Sequence, residues 1–194
     1  MNIEHNFQYK VGRQDLLDLF QNTKKISQFK RKLEQLAERD PNNYDRDKCV
    51  GDGFEFFVEL MLKALPHNLG LGGIYNYSPV QEDDNGVDGV AWNFDGDECV
   101  IQVKFRSDTN TLLTANKDHL SNMVTEATLK YGITPDGDRS KRYFIITTAK
   151  GLHYYTNDDF FKNKVTCIGY NDLRKLVDGN VGFWEKCLEV CLGL

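Results

Sequence analysis

Apolar residues recur every three to four positions along residues 13–39, in two runs. Leu16, Leu17, Leu19 and Phe20 line the first run, and Ile26, Phe29, Leu33 and Leu36 line the second, which predicts two consecutive helices. Asp40-Pro41-Asn42-Asn43 ends that region with turn chemistry. A longer helix is predicted over about 47–65, closed by Pro66 and by the glycines at 70, 72 and 73. The periodicity then shortens to that of strands, at about 74–80, 87–94 and 98–105. A helix is expected over 116–131. The apolar, β-branched run Arg142–Thr148 reads as a buried strand, and 165–168 as another. Helices at about 170–177 and 181–192 close the chain. This order predicts an α/β fold, a central mixed sheet flanked by helices. Residues 1–45 form an N-terminal helical extension in this reading, and 46–194 the main domain.

Length and composition narrow the classes. The chain has 194 residues, of which 40% are hydrophobic and 27% charged, ordinary for a globular domain able to bury a core without disulfides. Lysine and arginine number 24 against 29 aspartates and glutamates, a net charge of −5 that argues against a polybasic coat for nucleic acid. The N-terminus lacks the apolar core of a signal peptide, and no run has the length of a membrane span. Five cysteines without a CxxC fit a reducing, cytoplasmic setting. Cys187 and Cys191 stand four apart on a predicted helix, but no matching His/Cys pair lies nearby, so they read as core thiols rather than half a zinc site. The apolar ending FWEKCLEVCLGL points either to a packed terminal helix or to a domain of a longer protein.

Three places depart from a purely structural pattern. The helix around Gly53-Phe54-Glu55-Phe56-Phe57-Val58-Glu59-Leu60 is apolar almost all round, yet carries Glu55 and Glu59 on one face. A buried carboxylate costs several kcal/mol unless it is paired or holds a cation. The bland reading is a single wet stripe carrying both acids. Next, the acidic loop Glu82-Asp83-Asp84-Asn85 leads into a strand. Asp83 and Asp84 suit a solvated turn, whereas Asp88 lies inside the apolar pattern. Last, Cys99–Phe105 is a strand whose odd positions are all apolar, leaving Gln102 and Lys104 side by side on the other face. A half-exposed strand with a polar outer face would account for that pair alone. Convergence of all three supplies carboxylates and a strand carbonyl for a hard cation such as Mg²⁺, with a lysine beside a phosphate or an attacking water. That is the equipment of metal-assisted phosphodiester hydrolysis.

Register tests this convergence. A three-residue loop Asp95-Gly96-Asp97 would pair Phe94 with Glu98, and hence Asp88 with Lys104, on one face of the sheet. A two-residue turn would send Asp88 to the other face, so the three-residue loop, or an equivalent bulge, is predicted.

The stretches Gly53-Phe54-Glu55, Asn85-Gly86-Val87-Asp88-Gly89-Val90 and Val100-Ile101-Gln102-Val103-Lys104-Phe105-Arg106-Ser107 resemble, in order and spacing, the PD-(D/E)xK nuclease superfamily, which has a restriction-endonuclease-like fold. The Mrr-like branch is the nearest in kind, as in the nuclease domains of type ISP restriction enzymes and some viral helicases. Glu55 precedes Asp88 by 33 residues and Asp88 precedes Gln102 by 14, and the likeness covers roughly residues 50–170. The resemblance implies a Mg²⁺-dependent DNA endonuclease, with Mn²⁺ able to substitute. Asp88 would be the central metal ligand, Gln102 would stand where the family's second acid stands, Lys104 would be the catalytic lysine, and the Val103 carbonyl would be a further ligand. Glu55 would be the helix acid, with Glu59 as the alternative. Val87 replaces the family's proline. A neutral Gln102 removes one negative charge and shifts metal binding toward Glu55. A catalytically inactive relative that binds nucleic acid or docks a protein is the alternative, and an interaction domain with a merely wet strand face is a third.

DNA contact needs only local positive charge. Lys24, Lys25, Lys30, Arg31 and Lys32 cluster near the second helix, and Arg139, Lys141 and Arg142 before the later strand. Solvated faces explain these clusters at least as well. Arg106, beside the expected site, is the better phosphate contact. The polar segment Ser107–Lys117 follows the same strand and is expected to line the cleft. No recognition module such as a helix-turn-helix or zinc finger is evident. The expected partners are DNA, a second copy on DNA, or an attached helicase or translocase domain, with no membrane. A phage or viral origin fits this reading.

Overall fold

The computed structural model describes residues 1–7, 12–39, 45–80, 86–115, 117–136, 141–153 and 159–193. The expected turn at 40–43, the acids Asp83 and Asp84, and Arg139 lie outside the described residues.

Two helices open the chain, α1 (Arg13–Phe20) and α2 (Ile26–Glu38), and α3 (Arg46–Ala64) follows. Asp45 caps α3, its carboxylate accepting from the amides of Asp47 and Lys48. Strands β1 (Tyr75–Pro79), β2 (Gly89–Trp92) and β3 (Glu98–Lys104) come next. After the short β4 (Leu112–Leu113) come α4 (Leu120–Tyr131), β5 (Tyr143–Thr147), the short β6 (Gly151–Leu152), α5 (Asp159–Lys164), β7 (Val165–Ile168), α6 (Tyr170–Val177) and α7 (Val181–Gly193). The α/β expectation holds. A five-stranded mixed sheet runs in the order β1-β2-β3-β5-β7, antiparallel from β1 to β3 and parallel from β3 to β7. Sequence periodicity passed over β4, β6 and α5. The first two are two-residue strands that pair only with each other, and α5 spans six residues. Such elements are too short to show a period.

Each face of the sheet has its own core. On one side Cys99, Ile101, Val103 and Phe105 of β3 pack with α1, α2, α3 and α7 around Phe20, Phe29, Phe54 and Phe57. On the other, Val100 and Ile145 pack with Leu120, Met123 and Ala127 of α4 and with Phe161 of α5. The N-terminal helices therefore share the core of α3. Cys187 and Cys191 are buried in this first core as thiols, and burial pushes Cys191 up to about 12. Among the described residues no helix is long and apolar enough to cross a membrane.

The hairpin between β2 and β3 differs from expectation. Trp92, not Phe94, faces Glu98, so the connection is the five residues 93–97. Asn93 builds the longer loop. Its side-chain oxygen accepts from the amides of Asp95 and Asp97 at 3.0 Å each, its own amide donates to the Asp97 carbonyl, and Gly96 takes a positive φ of 79°. The pairing ends at Gly89 opposite Ile101. Gly89 lies against Tyr77 of β1 so closely that an added Cβ would enter the tyrosine ring. Gly89→Ala should therefore destabilise the protein by about 1–3 kcal/mol through overpacking, read as a lower urea midpoint at unchanged slope.

Candidate functional site

Asp88 stands just before β2, and its backbone breaks the ladder. Its amide donates to the Ile101 carbonyl at 2.9 Å, although Gly89 already faces Ile101. Two residues of one strand thus oppose one of the other, which is a β-bulge. The bulge resets side-chain alternation, so Asp88 does not stand opposite Lys104 as the shorter loop required. Its carboxylate instead reaches along the strand edge and accepts from the Val103 amide at 2.5 Å. That amide would have bonded to β2 had β2 continued. The Asp88 carbonyl accepts from the Tyr77 hydroxyl at 3.3 Å and from the Val80 amide at 3.1 Å. Asp88 is buried and held from several directions.

Tyr77 reports what surrounds this point. Its hydroxyl is pushed well above the usual tyrosine range, first by complete burial and then by the negative charges of Asp88, Glu55 and Glu59. The charges of Asp88 and of the α3 acids Glu55 and Glu59 thus all reach the Tyr77 hydroxyl. An amide and a carbonyl of the same strand residue point to the same edge. The Val103 carbonyl accordingly lies on the edge where the Asp88 carboxylate sits.

A cleft of about 610 Å³ is lined by Glu55, Val103, Lys104, Arg106 and, from the first turns of α3, Arg46 and Lys48, and Asp88 adjoins it through the Val103 amide. The strand end that forms its floor is pinned by β5. Thr147 Oγ1 donates to the Lys104 carbonyl at 2.7 Å, while Thr148 Oγ1 accepts from the Arg106 amide at 2.6 Å and donates to its carbonyl at 2.8 Å. Among the described residues the Lys104 ammonium makes no ion pair.

Gln102 occupies the other face of β3, in line with Val100, and is completely buried. Neither atom of its side-chain amide has a hydrogen-bond partner among the described residues. Such an orphaned group costs about 1–3 kcal/mol, which marks the position as one not optimised for packing alone. As donors toward a cation, Glu55, Asp88 and the Val103 carbonyl are oxygens, the set that a hard ion such as Mg²⁺ takes. The chemistry of these donors suits such an ion, whereas the Gln102 amide lies on the opposite face of β3.

Glu59 has a structural task. It is wholly buried and accepts from the amides of Glu4 at 2.7 Å and His5 at 2.9 Å, while Lys63 donates to it at 2.6 Å. Its carboxylate clasps the N-terminal segment onto α3.

The basic residues separate in the same way. Arg106 is tied to Asp118 and to its own neighbour's carbonyl. Lys30 is largely buried, pairing with Glu34 and lying 5.4 Å from the Phe105 ring centroid. Lys32 donates to the carbonyls of Asp18 and Gln21, and burial lowers its pKa. Lys24 and Lys25 are exposed at the start of α2, beside the α6–α7 turn, where the Gly179 amide donates to the Lys24 carbonyl. Lys141 and Arg142 precede β5, where Tyr143 faces Val100, at the end of the sheet remote from Lys104. Among the described residues, only Arg106 of the expected DNA contacts and only Ser107 of the segment 107–117 line the cleft. Arg46 and Lys48, missed in the sequence, line it as well. Their signal was present: they lie two turns or so before Glu55 on one helix.

In comparisons with protein-family models, with curated proteins and with solved structures, nothing matches this chain.

If Glu59 serves as a clasp, Glu59→Gln should cost about 3 kcal/mol in urea unfolding, because Lys63 and two amides lose a buried anion. Limited proteolysis should then cut within residues 1–7 first.

Proposed function

We propose that this chain hydrolyses phosphodiester bonds of DNA with a divalent cation, Mg²⁺ or Mn²⁺, on a restriction-endonuclease-like core. The observation that carries the reading is the Asp88 carboxylate fixed on the Val103 amide, next to a cleft lined by Glu55, Val103 and Lys104. Glu55, Asp88 and the Val103 carbonyl would hold the ion. When bound, such an ion lowers the pKa of a water and offsets charge building on the phosphate. Lys104 brings an ammonium to the same cleft, where it stabilises the phosphate oxygens and orients the attacking water. Arg46 and Lys48 line the cleft and meet flanking phosphates. Arg106 joins them by exchanging Asp118 for a phosphate oxygen. Such local cations suffice for DNA despite the net charge of −5, and binding should weaken steeply with salt. Cutting both strands needs two centres, which a second copy on the DNA or an attached helicase or translocase domain would arrange.

A second reading has its own support. Gln102 lies on the face away from α3 and supplies no charge, so the cleft holds fewer acids than a cutting centre of this kind commonly does. A DNA-binding module without cleavage follows from that.

Supercoiled plasmid incubated with Mg²⁺ or Mn²⁺ distinguishes them. The wild-type chain should nick it, and Asp88→Asn and Lys104→Ala should each lower the rate about 100-fold or more. Asp88→Asn keeps an oxygen for the Val103 amide, so its loss would reflect chemistry rather than unfolding. Salt-sensitive DNA binding without nicking selects the module. Neither activity, or equal cutting by both variants, overturns the nuclease reading.

A further inference from the structure

We infer that the N-terminal segment completes a second cation site, in which His5, Asp52 and Glu55 bind a transition ion such as Zn²⁺ or Mn²⁺ in preference to Mg²⁺. The site goes beyond the phosphodiester reading and shares with it only Glu55. Asp52 and Glu55 lie three residues apart on α3, hence on one face. The Glu59 clasp lays His5 over that face. One ligand atom from each of the three side chains lies within 4.8 Å of the others. Three ligands about 2.1 Å from one tetrahedral ion stand about 3.4 Å apart, so side-chain shifts on the order of 1 Å close the site.

A second observation points to a missing ligand. Asp52 is 6% exposed, and its only ion pair among the described residues is with His5, whose Nε2 lies 2.6 Å from Oδ1. Its other oxygen, Oδ2, is buried and has no partner among the described residues. The two oxygens share one carbon, so the orphan sits beside the atom that His5 touches. A buried carboxylate half-satisfied by one imidazole, with a second acid alongside, is short of positive charge. The imidazole nitrogen sets the preference, since Mg²⁺ favours all-oxygen sites and Zn²⁺ and Mn²⁺ accept a histidine.

Titration of the chelator-treated chain with ZnCl₂ and MgCl₂ by calorimetry tests this. Zn²⁺ should bind in one equivalent that excess Mg²⁺ does not displace. His5→Gln and Asp52→Asn should each weaken it at least about tenfold, while Asp88→Asn leaves it unchanged. Asp52→Asn retains an oxygen for His5, and an unaltered apo melting temperature would show that the clasp survives. Co²⁺ should give visible absorption bands that His5→Gln abolishes. No stoichiometric Zn²⁺ binding, or Zn²⁺ binding indifferent to both variants, overturns the site, as does Zn²⁺ binding lost in Asp88→Asn. Plasmid nicking judges the other reading separately.

Discussion

Three carboxylates ride on a helix packed between a sheet and the rest of the core, and the structure around them is arranged by that fact. α3 turns Phe54, Phe57 and Met61 into the first core, so it cannot rotate to bring its acids into water. Asp52, Glu55 and Glu59 must each find a counterpart where they stand. Glu59 takes two amides and a lysine and thereby fixes the first residues of the chain. Asp52 takes the histidine that this clasp delivers. Glu55, only partly buried, looks into the cleft. The acids differ in role because they differ in what covers them, although all three lie within two turns of one helix.

Much of this was readable in the sequence, for physical reasons. The apolar surround of Glu55 and Glu59 announced a buried helix, and the alternation of Cys99–Phe105 announced which face of β3 is core. The positions of β7 and α6 follow from patterns with no competing reading. What escaped was set by hydrogen bonds that no periodicity records. Asn93 accepts from two amides and lengthens the hairpin loop. The bulge at Asp88 arises because Tyr77 and Val80 hold its carbonyl while its side chain replaces a missing ladder partner. Alternation therefore placed Gln102 and Lys104 correctly along β3 but not Asp88 beside them. His5 escaped for another reason: it belongs to a short polar segment whose place depends wholly on a glutamate 54 residues away.

The cleft lies at the carboxyl end of β3, where β3 and β5 run parallel and the antiparallel β2 begins. That junction leaves the Val103 edge without a strand partner, and an unpaired strand edge inside a protein has to be satisfied by something. A carboxylate serves, at the cost of a buried charge. That charge adds to burial in raising the Tyr77 pKa. Arg46, Lys48 and Lys104 line the cleft, whereas Lys141 and Arg142 stand at the far end of the sheet. The net charge of −5 is thus a poor guide to any one patch of this surface, because over a few ångströms the local field outweighs the sum over the chain.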